Sequence, residues 1–260
     1  MNGLNIFTHS FRQVVGNLGM AVRVSGGVWL LLFVMGFVAV FIAVATHSPF
    51  LGMVLMIVFL VTAVWGVSLI AVVWHRYILM EEAPSGFIPS RKGLNVWPYF
   101  WSGIGISLIV LLVMAVLFFA ATIFVDSAWI FAAFDSEHTS MLPEHIALRW
   151  VVGLLVTVIY LRFALALPAV ALNKRVSFGE SWQESKPYFA AIIVLSIVLS
   201  LLNAVAMLVL GVLLVSVAES QGLTFAVSLL IMLFQWFYFM LNISILSTLY
   251  GHIVEKREVY

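Results

Sequence analysis

The sequence contains no cysteine and few charged residues, and both shortages restrict the class of protein. Without cysteine there is no disulfide framework, thiol nucleophile or thiolate metal site. Charged residues make up 9% of the chain, whereas a soluble domain has about 25%. The 260 residues are 64% hydrophobic, more than a soluble core of this length can bury, and the mean hydropathy is +1.18. These values exclude soluble globular, disordered and nucleic-acid-binding proteins, and they predict an integral membrane protein.

Catalytic signatures are also missing. The sequence has no Walker loop, no His-Glu-x-x-His motif, no Gly-x-Ser-x-Gly motif and no dinucleotide-binding glycine pattern. Gly103 and Gly105 lie inside an apolar stretch, where small residues allow close helix packing. We therefore expect no enzyme activity and no cofactor.

Six apolar stretches follow one another along the chain. Each approaches or exceeds the roughly 20 residues that a helix needs to cross a bilayer. Strands would instead show alternating segments of about ten residues, so helices are the expected spanning form. The sequence predicts an all-α, polytopic membrane bundle, with residues 1–260 as a single integral membrane domain. The predicted transmembrane helices span approximately 27–46, 51–75, 97–125, 148–171, 188–218 and 223–252.

Residues 1–26 precede the first predicted span, and 4–24 have the pattern of an amphipathic helix. Apolar side chains recur there at helical spacing, with polar side chains between them. Such a helix lies flat in the membrane interface or packs on the surface of its own bundle, and the pattern fits both alternatives. The apolar positions are Phe7, Phe11, Val14, Val15, Leu18 and Val22.

The basic residues are distributed unevenly between the two sides of the predicted spans. Arg149 alone falls on one side, where several acidic residues also lie. By the positive-inside rule the other side is cytoplasmic, so we expect both termini in the cytoplasm. The basic residues of that side are Arg12, Arg23, Arg76, Arg91, Lys92, Arg162, Lys174, Arg175, Lys186, Lys256 and Arg257.

The chain also repeats itself weakly, as three units that each open with a Ser/Phe segment, cross the membrane and return. The openings contain Ser10-Phe11, Ser85-Gly86-Phe87 and Ser177-Phe178-Gly179. This pattern predicts three repeated hairpins with interfacial cytoplasmic helices. Alternatively, serines and aromatics recur at interfaces for reasons of solvation alone. In the third opening, Ser177 and Glu180 have the spacing of a helix-capping box.

Residues 162–172 (RFALALPAVAL) and 177–182 (SFGESW) resemble a recurrent segment of bacterial six-helix membrane proteins. This segment and the six-helix layout are similar to the YciC-like family and to the membrane domain attached to some glycerophosphodiester phosphodiesterases. The resemblance implies a bacterial inner-membrane protein. We expect no phosphodiesterase activity, because the 260 residues contain no such domain.

Polar side chains inside the predicted spans are few. Asn203, Gln235 and Asn242 are expected to form hydrogen bonds between helices, worth roughly 0.6–2 kcal/mol each, or to line a cavity. No Asp or Glu lies in mid-span, which disfavours a proton-coupled pump.

The predicted outer loop pairs carboxylates with imidazoles at Glu137-His138 and Glu144-His145. Such side chains are able to bind a divalent ion, but their spacing does not bring them together on one helix turn. We expect an ordinary solvated loop there, with a metal site as the alternative.

Arg76 and Arg162 end corresponding return helices and are the candidate contacts to lipid or anion. We expect both side chains to extend toward the cytoplasmic headgroups. Guanidinium binds phosphate or carboxylate with two hydrogen bonds, so lipid phosphate and nearby carboxylates are the expected partners. The first interpretation is topological anchoring, and the second is a specific site for an anionic lipid or substrate. The nearby carboxylates are Glu81, Glu82, Glu180 and Glu184.

Three functional hypotheses remain. The first is a structural or accessory protein that packs with a larger membrane complex or assists its assembly, because catalytic motifs are missing and the surface is apolar. The second is a passive carrier or lipid-handling protein with a groove between helical repeats. A membrane enzyme comes third and rests only on the acidic loop. The expected partners are membrane lipids and other membrane-protein subunits, with no nucleic acid.

Overall fold

A computed structural model describes residues 2–83, 93–132 and 143–257, and in this part of the chain every regular element is a helix. Six of the segments are long and apolar enough to cross a membrane. The all-α, multi-pass membrane bundle is therefore confirmed. The helices are α1 (Gly3–Gly16), α2 (Leu18–Thr46), α3 (Pro49–Met80), α4 (Val96–Ala121), α5 (Ser127–Ala132), α6 (Pro143–Phe163), α7 (Ala166–Ala171), α8 (Phe178–Glu184), α9 (Phe189–Ser216) and α10 (Gln221–Ile253).

The membrane-spanning segments are α2, α3, α4, α6 with α7, α9 with a preceding 3₁₀ turn, and α10. Their ends differ from the predicted ones by a few residues, except that α2 begins at Leu18 instead of residue 27. Between α2 and α3 the chain reverses within two residues. His47 adopts a left-handed conformation (φ 48°), and the Ser48 hydroxyl accepts a hydrogen bond from the N–H of Leu51. Pro49 occupies the first turn of α3, where its missing N–H costs nothing.

The N-terminal amphipathic helix is shorter than predicted. The continuous helix expected over 4–24 breaks at Asn17, so residues 18–24 belong to the first span. Asn17 is held out of helical geometry (φ −122°, ψ 31°) by its own side chain. That side chain donates to the Gln13 carbonyl at 2.8 Å and accepts from the Tyr77 hydroxyl at 2.9 Å. The cause is a contact with α3, which no local sequence pattern indicates.

Helix α1 packs against α9 and α10, which agrees with the second alternative for this segment. Its buried face consists of Gly3, Ile6, Ser10 and Val14, at helical spacing. Phe11 instead stays partly exposed and meets the ring of Phe237 edge-on. The helix therefore has a second apolar face, which is not covered by protein.

Proline divides the fourth span into α6 and α7. Pro168 has no N–H to donate to Ala164, and its ring would clash with that carbonyl in a continuous helix. The helix accordingly breaks at Ala164 and Leu165, both fully buried. The short α7 then packs against α3, α4 and α10.

Buried residues concentrate at one end of the bundle, which we call the packed half. This half contains α1, α8, and the stretches of α3 from Gly66 to Leu79 and of α10 from Met240 to Ile253. The opposite end contains the α2–α3 and α9–α10 turns, and we call it the turn half. In the turn half, residues 33–46, 49–65, 107–121 and 200–216 include no buried residue. The spans therefore do not close around a common packed centre there.

The spans are arranged as the hairpins α2–α3, α4–α6 and α9–α10, and α1 and α8 precede the first and third. The middle opening, at 85–87, lies outside the described residues. The threefold repeat therefore stays a prediction.

Candidate functional site in the packed half

Two buried side chains of α3 form hydrogen bonds with serines of α10 at the centre of the packed half. The Trp74 indole N–H donates to the Ser244 hydroxyl at 2.8 Å. The next residue, His75, is fully buried, and its Nδ1 lies 2.8 Å from the Ser247 hydroxyl. These pairs fix the register of the two central helices, because an unpaired indole or imidazole in an apolar core would be costly.

His75 joins three helices. Its Nε2 lies 3.1 Å from the hydroxyl of Tyr99 on α4. The Ser247 hydroxyl proton goes to the carbonyl of Ile243 at 3.0 Å, so this hydroxyl accepts from His75 Nδ1–H. His75 Nε2 then accepts from Tyr99, and the neutral imidazole uses both nitrogens.

A second polar group joins α1 to α10. The Ser10 hydroxyl donates to Thr248 Oγ1 at 2.9 Å, and Thr248 donates to the Gln13 side-chain oxygen at 3.3 Å. The amide of Gln13 in turn lies 3.0 Å from Nε2 of His9. Because an amide N–H only donates, that ring nitrogen of His9 is the acceptor.

Beside these groups lies a cavity of about 210 Å³ between α1 and the ends of α3 and α10, which we call the polar cavity. Arg257 borders it and is held in place by the backbone. The backbone N–H of Arg257 donates to the Gly251 carbonyl at 2.9 Å, and its side-chain Nη2 donates to the Leu79 carbonyl at 2.7 Å. The polar residues lining the cavity are His9, Gln13, Ser247, Thr248, His252 and Arg257.

The segment after α10 forms a small ion cluster next to the polar cavity. Glu255 binds Lys174 and Arg257, each at 2.7 Å. The hydrogen bond to Glu255 raises the pKa of Lys174 above its usual value. Within the described residues, two cations therefore share one carboxylate at this edge of the cavity.

The structure gives Arg76 a carboxylate partner from the predicted set. Its Nε and Nη2 donate to the two carboxylate oxygens of Glu82 at 2.7 and 2.9 Å, and Nη1 donates to the Ala171 carbonyl at 3.2 Å. Glu81, the other predicted carboxylate here, ends α3 in a left-handed conformation (φ 58°) and is exposed. Arg76 therefore ties the end of α3 to α7.

Arg162 has partners that the sequence did not predict. Its guanidinium lies 3.4 Å from the centre of the Trp182 ring and donates to the Trp182 carbonyl at 2.8 Å and to the Ser185 hydroxyl at 3.1 Å. The Ser181 hydroxyl returns a hydrogen bond to the Arg162 carbonyl. Arg162 is 8% exposed, and its contacts hold α8 against α6.

The two predicted carboxylates of α8 lie on its surface. Glu180 forms the predicted capping box, which is confirmed: its carboxylate accepts from the Ser177 N–H at 2.7 Å, and the Ser177 hydroxyl accepts from the Glu180 N–H. These hydrogen bonds with Ser177 lower the pKa of Glu180. Glu184 is exposed at the end of the helix.

No hydrogen bond joins the three predicted cavity amides to one another. Asn242 donates to the Tyr238 carbonyl of its own helix at 2.7 Å. Gln235 is exposed and reaches the sulfur of Met207 on α9 at 3.6 Å. Asn203 is half-buried on α9. None of the three borders the polar cavity or the groove described next.

Helices α2 and α10 enclose a groove of about 370 Å³, which we call the apolar groove. At one end the Trp236 indole donates to the Ser25 hydroxyl at 2.7 Å, joining the two helices. The groove is lined by Val22, Gly26, Trp29, Leu30, Phe33, Leu229, Met232, Leu233 and Trp236.

In the predicted outer loop, Glu137 and His138 lie outside the described residues. His145 is buried and its ring packs edge-on against Trp129 of α5 at 4.9 Å. Glu144 is exposed in the first turn of α6. Within the described residues no cluster of side chains suited to a metal ion is present.

The polar core was not predicted from the sequence. The structure buries His75 completely, although the charged residue Arg76 follows it directly. One signal was present: Ser244, Ser247 and Thr248 fall on one face of a strongly apolar helix. Comparison with protein-family models, curated proteins and solved structures gives no match. The resemblance to YciC-like proteins therefore stays a prediction.

Proposed function

We propose that the protein is a structural or accessory component of a bacterial inner membrane, with both termini in the cytoplasm, and that its turn half packs against another membrane protein. The exposed apolar surface of α4 is the observation that supports this. Beyond Ile106 the helix has no buried residue up to Ala121, and Leu112 and Phe119 are 65% and 68% exposed.

The distribution of polar groups supports a structural role over a catalytic one. The hydroxyls, indole and imidazole of the packed half bind one another, whereas the turn half offers apolar surface. Lipid tails are as apolar as leucine, so helices associate through close van der Waals packing and not through the hydrophobic effect. A partner helix that fits between the diverging spans would supply such packing.

Photo-crosslinking tests this proposal directly. A photoreactive amino acid at Leu112 should form an adduct with a second protein in native membranes, because this position faces away from the bundle. The same amino acid at Ile106, which is fully buried on the same helix, is the control and should react only within the chain. Lipid adducts alone at Leu112, together with a protein that purifies without partners in mild detergent, would exclude the accessory role.

A lipid-handling protein is the second candidate, and the apolar groove favours it. From Val22 to Phe33 the groove follows α2 for about 16 Å at 1.5 Å per residue, enough to hold much of an acyl chain. Leu233→Trp should fill the groove and reduce the amount of phospholipid that native mass spectrometry detects. Leu223→Trp is the matched control, because Leu223 lies on the same helix with the same 55% exposure but outside the groove. Equal lipid retention by both variants would reject the groove.

A further inference from the structure

We propose that the polar cavity binds a phosphate group, either that of a phospholipid headgroup or free inorganic phosphate. This inference is independent of the accessory role, since it concerns the packed half and not the turn half. Its volume, about 210 Å³, is several times what one water molecule needs and is suited to a small polar ligand.

Hydrogen-bond donors surround the cavity. Arg257 uses Nη2 on the Leu79 carbonyl and on Glu255, which leaves other guanidinium N–H groups for a ligand. The Gln13 oxygen accepts from Thr248 and one amide N–H donates to His9, so the second amide N–H of Gln13 is the one that remains for a ligand. His252 Nδ1 lies 3.0 Å from the Arg257 carbonyl and donates to it, which fixes the backbone of Arg257 beside the cavity.

The charges around the cavity favour an anion. Among the residues that the structure describes, no aspartate or glutamate lines it. Glu255 binds Arg257, which lines the cavity, and it is shared with Lys174. His9 and His252 also line the cavity, and neither brings negative charge. Guanidinium with neighbouring neutral donors is the combination that binds phosphate well.

The cavity lies at the ends of two spans, where phospholipid headgroups are expected. It is bordered by Leu79 and His252, which lie in the last turns of α3 and α10. Both spans therefore leave the hydrocarbon beside it. Basic pockets between transmembrane helices at this level are a known way of binding anionic headgroups.

Two variants test the site while leaving the charged residues of the ion cluster in place. His252→Phe removes an imidazole while keeping a ring against Tyr188, and Gln13→Leu removes the amide. Arg175→Gln removes an exposed positive charge outside the cavity and is the control. The full chain in detergent is titrated with sodium phosphate against sodium chloride at equal ionic strength, and Tm is followed. Native mass spectrometry of the same samples measures retained phosphatidylglycerol after incubation with phosphatidylglycerol vesicles.

If the ligand is free phosphate, sodium phosphate should raise the Tm of the wild type and of Arg175→Gln more than sodium chloride does. Gln13→Leu should bind phosphate roughly tenfold more weakly, the loss expected for one hydrogen bond to an anion. His252→Phe should also bind it more weakly, because Arg257 loses a contact that fixes its position. For a lipid headgroup, Tm should not respond to the salt, and the two cavity variants should retain less phosphatidylglycerol than the control. If His252→Phe does not fold, as judged by near-UV circular dichroism, Gln13→Leu decides. Wild-type behaviour of the folded cavity variants in both measurements would overturn the proposal.

Discussion

Replacing Arg162 with lysine tests whether this arginine holds α8 to α6. The guanidinium stacks on Trp182 at 3.4 Å and donates two hydrogen bonds, to the Trp182 carbonyl and the Ser185 hydroxyl. A desolvated cation–π contact is worth about 2 kcal/mol, and a hydrogen bond from a charged group about 1.5–3 kcal/mol. Lysine keeps the charge and one hydrogen bond but loses the planar stack. We expect Arg162→Lys to lower the free energy of unfolding by about 2 kcal/mol.

The assay is unfolding in mixed micelles with increasing SDS, followed by tryptophan fluorescence. Arg175→Lys is the control, since an exposed arginine away from such contacts should change stability by less than about 0.5 kcal/mol. In a Trp182→Leu background the cost of Arg162→Lys should fall by about half, because the two side chains interact directly. If Arg162→Lys unfolds at the same SDS fraction as the wild type, the contacts of Arg162 with Trp182 and Ser185 contribute nothing to stability.

Three further substitutions address other contacts. Gly3→Ala should destabilise the docking of α1 by roughly 1–3 kcal/mol, since a Cβ there would collide with the Ala191 carbonyl; hydrogen exchange of α1 measures this. Ser177→Ala should cost roughly 0.5–2 kcal/mol in the same SDS assay. The lowered pKa of Glu180 means that its capping contribution is present above its usual pKa and is lost as the pH falls, so amides of α8 should exchange faster in acid than their intrinsic rates predict. Trp74→Phe should cost about 1–3 kcal/mol, measured by thermal unfolding, because it leaves a buried hydroxyl without its indole donor.

The sequence predicts well what depends on neighbouring residues. The spans follow from apolar length, and the α8 cap follows from Ser177 and Glu180, which lie three residues apart. The break at Asn17 depends on the Tyr77 hydroxyl, 60 residues away, and asparagine by itself is compatible with either outcome. Long-range partners leave no local pattern, so the break was not predictable.

The candidate site was not predictable for the same reason, because its hydrogen-bond partners are far apart in the chain. The buried His75 has its hydrogen-bond partner in Ser247, which is 172 residues away. Arg162 was expected to extend toward headgroups or acidic residues. A tryptophan 20 residues later offers its ring and its carbonyl instead, and which of these alternatives prevails depends on how α8 folds back.

The polar bonds between α10 and the earlier helices impose an order on biogenesis. Ser10 precedes its partner Thr248 by 238 residues, and Trp74 precedes Ser244 by 170. At about 5–20 residues per second, a ribosome needs on the order of ten seconds or more to synthesise the intervening chain. During that interval α1 is already synthesised and α3 already inserted, while their polar side chains lack α10. A nascent chain that stalls before residue 240 therefore keeps the Ser10 hydroxyl and the Trp74 indole without the partners that they have in the finished protein.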